Sequence, residues 1–123
     1  YSDRCSVDAR LRRLIEVLVS RINGCSYCIA THTEQAIALG EDRSRIEDVP
    51  NWRESDRYSE MECAVFEWAE RVTSVSGRDD PLDHRALLSR YFSDPEIVDL
   101  TFIILAMNAW NRLAIAFDRR HEA

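Results

Sequence analysis

The sequence predicts an all-α fold of about five or six helices. Three observations carry that reading. Glycine and proline are scarce, three of each in 123 residues, so few positions break a helix. Val/Ile/Thr runs alternating with period two, the mark of a half-buried strand, are absent. In their place Leu11, Leu14, Ile15, Leu18, Val19 and Ile22 recur at i, i+3, i+4, i+7, i+8 and i+11, which makes one apolar stripe on a helix.

That first helix takes Asp8, or Ser6 before it, as its cap and stops at Asn23-Gly24, where glycine accepts the left-handed turn. Arg10, Arg13 and Ser20 fall on the side away from the stripe. A second helix begins around residues 24–26 and reaches Leu39, with Gly40 after its last turn. Residues 41–56 contain Pro50 and many charges and read as a connecting loop with one short turn. Ser59-Glu60-Met61-Glu62 matches a capping box. The helix it opens carries Cys63, Phe66 and Val72 and runs to about Ser74. Residues 77–81 are a polar break, and a short helix follows over about residues 82–91. Ser93-Asp94-Pro95-Glu96 combines a cap, a proline in the first turn and an acid beside the helix N-terminus. The helix it starts continues to about Phe117 and is apolar on most faces from Ile97 to Trp110, which places it centrally or in a subunit interface.

Length suits one domain spanning residues 1–123. Hydrophobic residues make up 46% of the chain, too many for a disordered acidic segment. A net charge of −6 argues against a nucleic-acid binder, which needs a basic face. All sixteen basic residues are arginine, which reads as a coding bias and not as a site. The longest unbroken apolar run, residues 102–107, is far shorter than the ~20 residues that span a bilayer. No charged-then-apolar signal segment opens the sequence. The expectation is therefore a soluble cytoplasmic protein with no membrane partner.

The segment that carries chemistry is Asn23-Gly24-Cys25-Ser26-Tyr27-Cys28-Ile29-Ala30-Thr31-His32. Two cysteines three apart on the first turn of a helix can form a short-loop disulfide without unfolding it. The unpaired N–H groups and the positive dipole end there favour a thiolate. His32 lies four residues after Cys28, one turn on along the same face. It can take the thiol proton or hold the thiolate as an ion pair. Blander readings compete. The CxxC could be half of a zinc site with His32 as a third ligand, but Cys5, Cys63, His84 and His121 supply no second ligand-spaced pair. The cysteines could also be buried filler. Cys63 reads as core and Cys5 as incidental. Trp52, Trp68, Tyr91 and Trp110 read as packing or interface residues, and the arginines of the first helix as a solvated or subunit-facing surface.

The stretch from Leu11-Arg12-Arg13-Leu14-Ile15 through Ile22-Asn23-Gly24-Cys25-Ser26-Tyr27-Cys28, followed by Thr31-His32-Thr33, resembles the core of the AhpD-like alkylhydroperoxidases of the carboxymuconolactone decarboxylase superfamily. Asn108-Ala109-Trp110-Asn111-Arg112-Leu113-Ala114 is similar to a segment of that family's last long helix. The resemblance implies an all-helical fold assembled as trimers or hexamers. It implies reduction of hydroperoxides with Cys28 as the attacking thiolate, Cys25 as the resolving thiol and His32 in a proton relay. An external dithiol, of a lipoylated carrier or a thioredoxin-like protein, then reduces the disulfide. No metal or organic cofactor is required.

One departure stands out. The family's relay uses a glutamate twelve residues before the first cysteine, and that position is Arg13. Glu16 lies one turn on, as if acid and base were exchanged. One turn is about 5.4 Å of rise, so Glu16 is expected to enter the relay only if the helix or a water chain adjusts. The departure keeps open a non-catalytic redox-sensing or binding subunit of the same fold. A carboxymuconolactone-type decarboxylase is the remaining alternative, one that has no need of a CxxC.

Overall fold

A computed structural model describes residues 6–76 and 83–118. Among them are six α-helices, one 3-10 helix and no strand. Helix α1 (Ala9–Asn23) starts at Asp8, whose carboxylate accepts from the backbone N–H groups of Arg10 and Leu11. It ends at Gly24 in the left-handed conformation, φ 75°, as the sequence predicts. Ser6 does not cap it; its hydroxyl donates to Asp99 instead. Helix α2 (Ser26–Ala38) follows at once, capped by Cys25.

The segment expected as a connecting loop is more ordered than that. It contains helix α3 (Arg43–Glu47) and a 3-10 helix (Val49–Glu54). Ile46, Val49 and Trp52 are its apolar positions, and all three are buried. Arg45 pins the segment by bonding Glu41 at 2.9 Å and Glu62 at 2.6 Å. Burial and ion pairs thus order pieces too short to show helical periodicity.

Helix α4 (Glu60–Thr73) has the predicted capping box, with the Ser59 side chain accepting from the Glu62 N–H and Glu62 answering to the Ser59 N–H. Helix α5 (His84–Leu88), capped by Asp83, is shorter than the expected residues 82–91. The proposed break at 77–81, Leu82, Cys5 and His121 lie outside the described residues. Helix α6 (Asp94–Ala116) carries a second capping box from Ser93 and Glu96.

Helices α2, α4 and α6 pack on α1, and α4 also meets α6. Leu14, Ile15 and Leu18 of α1 meet Val65 and Phe66 of α4 and Leu100 and Ile104 of α6 in one buried cluster. Two α1 positions depart from the sequence reading. Ser20, assigned to the outward side, is fully buried, while Ile22, the last residue of the stripe, is exposed. The cause is α6, which crosses the end of α1 with a polar residue, Asn111, that bonds Ser20.

Helix α6 has a split character. Ile97, Leu100, Ile103 and Ile104 are buried, whereas Phe102, Leu105, Trp110 and Leu113 are exposed. It is long and apolar enough to cross a bilayer by length and composition. The short unbroken apolar run does not reveal this, because scattered polar residues interrupt the sequence without lowering the average much.

Candidate active site

The Asn23-Gly24 stop sets up the site. Gly24 turns the chain so that Cys25 arrives at the N-cap of α2 with extended backbone. Its sulfur accepts from the Cys28 backbone N–H at 3.2 Å. Cys28 sits in the first helical turn, and the two sulfurs are joined as a disulfide with Cα atoms 5.3 Å apart. The bridge therefore closes within local geometry that the helix start already provides. Both cysteines are buried.

His32 lies one turn along α2. Its Nδ1 is 2.8 Å from Gln35 Oε1 and 3.4 Å from Glu16 Oε1. Both neighbours are acceptors, so Nδ1 carries the proton and Nε2 is left as the basic nitrogen. Glu16 is itself buried. It receives Arg13 Nη1 at 2.7 Å and Arg12 Nε at 3.5 Å. One turn of rise does not keep Glu16 from His32, and neither an adjusted helix nor a water chain is needed for the contact. The carboxylate reaches His32 directly, because α1 and α2 pack side by side and its side chain extends across the gap. The first-helix arginines are corrected in the same way. Arg12 and Arg13 line a cavity and are not a purely solvated face.

That cavity holds about 670 Å³. One wall comes from α1 and α2 and includes Arg13, Glu16, Tyr27, Cys28 and His32. The facing wall comes from α6 and is apolar, with Phe102, Met107, Trp110, Leu113 and Phe117. Cys28 faces this space and Cys25 does not. Of the four residues singled out from sequence, Cys28, His32 and Glu16 line the cavity, and Cys25 is bonded to Cys28 from outside its walls. Gln35 and the α6 wall were missed. Gln35 was within reach of the helical spacing, three residues after His32. The α6 wall had no local signal.

A buried amide cluster anchors the start of α2. The Asn23 side-chain amide donates to Asn108 Oδ1 and to Asn111 Oδ1, each at 3.0 Å. Asn111 donates in turn to Ser20 Oγ at 3.0 Å, and Asn108 to Thr73 Oγ1 at 3.1 Å. Arg112 donates to Asn108 Oδ1 at 2.8 Å. Thus the segment Asn108–Arg112, noticed in the sequence as a family-like motif, ties α6 to the turn that carries Cys25.

Cys63 stands apart from the site. It is half-buried on α4, and burial together with Glu62 and Glu60 raises its thiol pKa. Among the described residues no group of three or more His, Cys, Asp or Glu could hold a metal ion.

The sequence profile of the carboxymuconolactone decarboxylase family matches residues 2–71. The uncharacterized protein YdfG of Bacillus subtilis (strain 168) is 37% identical over 122 residues, 98% of this chain and 82% of its own length. Among solved structures, one is of an Agrobacterium tumefaciens protein of unknown function for which the role of the antioxidant defence protein AhpD has been suggested. It matches with TM-score 0.90 and 36% identity, over 96% of this chain and 81% of its own. The debrominase Bmp8 matches with TM-score 0.81 and 26% identity, over 95% of this chain and 62% of its own.

Proposed function

The chain belongs to the carboxymuconolactone decarboxylase family, and from that premise we propose that it reduces hydroperoxides through a Cys25–Cys28 dithiol/disulfide cycle. The observation that carries this reading is the cysteine pair at the start of α2, with Cys28 and His32 facing one cavity beside Glu16.

In the reduced protein, His32 takes the Cys28 thiol proton on Nε2 while Glu16 and Gln35 hold Nδ1–H. The positive dipole end of α2 stabilises the thiolate. The thiolate attacks the terminal oxygen of the hydroperoxide. The O–O bond breaks, Cys28 becomes a sulfenic acid, and the leaving alkoxide takes a proton to become an alcohol. The Cys25 thiol then attacks the Cys28 sulfur, which forms the disulfide and releases water. One hydroperoxide and two thiols give one alcohol, one water and one disulfide. An external dithiol, of a lipoylated or thioredoxin-like protein, restores the thiols by exchange.

The test is to mix the reduced protein with one equivalent of an alkyl hydroperoxide, count free thiols and map disulfides by mass spectrometry. Loss of two thiols with a Cys25–Cys28 bond, absent in Cys28→Ser, is the expected result. Thiols that stay free sink the proposal. Likeness to a debrominase favours a second reading, in which the same dithiol delivers its two electrons to a halogenated substrate. Release of halide from a bromopyrrole, with no reaction toward hydroperoxide, would select it.

A further inference from the structure

The two sulfurs of the bridge sit in unlike surroundings. Cys28 lines the cavity beside Tyr27, Thr31 and His32. Cys25 does not line it and is 2% exposed. The turn that carries Cys25 is fastened from two sides. Its own backbone N–H donates to the Ser20 carbonyl of α1 at 3.0 Å. Asn23, two residues before it, is held by Asn108 and Asn111 of α6. These bonds keep Cys25 in place behind Cys28, as seen from the cavity.

The surroundings differ in charge as well. Cys25 is the N-cap of α2, and its sulfur accepts the Cys28 backbone N–H at 3.2 Å. That donor and the positive end of the helix favour negative charge on this sulfur. In thiol–disulfide exchange, access decides which sulfur is attacked, and the other leaves faster the better its thiolate is stabilised. Access selects Cys28 as the sulfur attacked. The cap selects Cys25 as the sulfur that leaves. The two criteria agree.

We propose that the external thiol enters the reductive exchange at Cys28, and that Cys25 departs as a thiolate held by the Cys28 N–H. The order of exchange follows from the surroundings of the bridge. Its place in turnover rests on the dithiol/disulfide cycle proposed above. In the first step one thiol of an external dithiol gives its proton to His32 Nε2, and its sulfur bonds to Cys28 Sγ. The S–S bond breaks and its electron pair stays on Cys25. In the second step the other external thiol gives its proton to Cys25 and attacks the outer sulfur of the mixed disulfide. Cys28 leaves and takes the proton from His32. One external dithiol and the bridge give one external disulfide and two protein thiols. By reversal, the same cap holds Cys25 as a ready nucleophile when it closes the disulfide on Cys28.

The experiment uses the full chain in its disulfide form and 2-mercaptoethanol, a monothiol that cannot complete the second step by itself. The reaction is stopped before full reduction with excess N-ethylmaleimide at mildly acid pH. Mass-spectrometric fragmentation between residues 25 and 28 then assigns the two labels. The expected result is the mercaptoethanol adduct on Cys28 and the maleimide on Cys25, in at least about tenfold excess over the reverse pattern. An adduct on Cys25, or one shared equally, overturns the proposal. Should the mixed disulfide be too short-lived to collect, the reduced single variants decide. Hydroxyethyl disulfide should label Cys28 in Cys25→Ser about tenfold or more faster than Cys25 in Cys28→Ser. Equal rates overturn the proposal.

No hydroperoxide enters these measurements, so the two proposals fail separately. An adduct on Cys28 in a protein whose thiols ignore hydroperoxide sinks the peroxidase reading and leaves the order of exchange standing. An adduct on Cys25 in a protein whose thiols are consumed by hydroperoxide sinks the order of exchange alone.

Discussion

Three basic side chains, Arg12, Arg13 and His32, converge on Glu16, a buried carboxylate. In the proposed cycle its task is to hold the His32 Nδ1–H so that Nε2 accepts the thiol proton. Glu16→Gln keeps the shape and removes the charge. The peroxide-dependent rate should fall about 10²-fold, the scale of a lost acid–base partner. Disulfide formation by a strong chemical oxidant should be unaffected. Equal peroxide rates for Glu16→Gln and wild type would remove Glu16 from the relay. Tyr58 gives a second prediction at this scale. Its ring is buried edge-on against Phe66, centroids 5.3 Å apart, and its hydroxyl donates to the Arg45 carbonyl. Burial, aided by Asp48, pushes its phenol up to about 12 from an ordinary 10.0. The folded state therefore favours the neutral phenol. That contribution to stability is fully present below pH 10 and is lost as pH rises to about 12. Tyr58→Phe should flatten the alkaline fall seen in denaturation midpoints. At neutral pH it should cost about 1 kcal/mol for the missing hydrogen bond.

Between elements, the amide cluster does what apolar packing cannot, since it fixes register. Asn111, with 0% exposure, bonds both Ser20 and Asn23. Asn23 is the last residue of α1, and Cys25 follows two residues later. Asn111→Ala takes the amide donor from the buried Ser20 hydroxyl and one of its two acceptors from the Asn23 amide. It should destabilise the fold by about 2 kcal/mol in urea titrations. A cost indistinguishable from zero would mean that water replaces the amide. The capping box of α4, the cap-and-proline start of α6 and the glycine stop of α1 were all legible in the sequence, because a cap is a contact between residues only a few positions apart. Helix α3 and the 3-10 helix after it were not. Ile46, Val49 and Trp52 are ordered by the core beneath them and by Arg45 bridging to Glu62.

For the molecule as a whole, the Cys25–Cys28 bridge is peripheral to stability. The disulfide spans a sequence separation of three, and so short a loop removes little entropy from the unfolded chain. Its contribution is at most about 2 kcal/mol. Both redox forms should stay folded, with helical circular dichroism retained after reduction and only a small drop in the urea midpoint. A reduced form that unfolds would be incompatible with a dithiol that cycles. The core is built from α1, α4 and α6, while the cysteines sit where α2 begins against them. That separation would let the proposed sulfur cycle run on a frame that does not depend on it.

The sequence by itself determined the all-helical class and the helix start at α2 that holds Cys25 and Cys28, with His32 one turn on. Each is encoded locally, by helical period, by a cap or by spacing within one turn. The tertiary structure alone decided that Glu16 reaches His32, that Ser20 is buried, and that Arg13 faces a cavity walled by Trp110 and Phe117. Those relations join residues up to about a hundred positions apart. The first exists because α2 packs beside α1; the other two exist because α6 packs back across α1, a crossing set by the shapes of two buried faces and by one polar cluster between them.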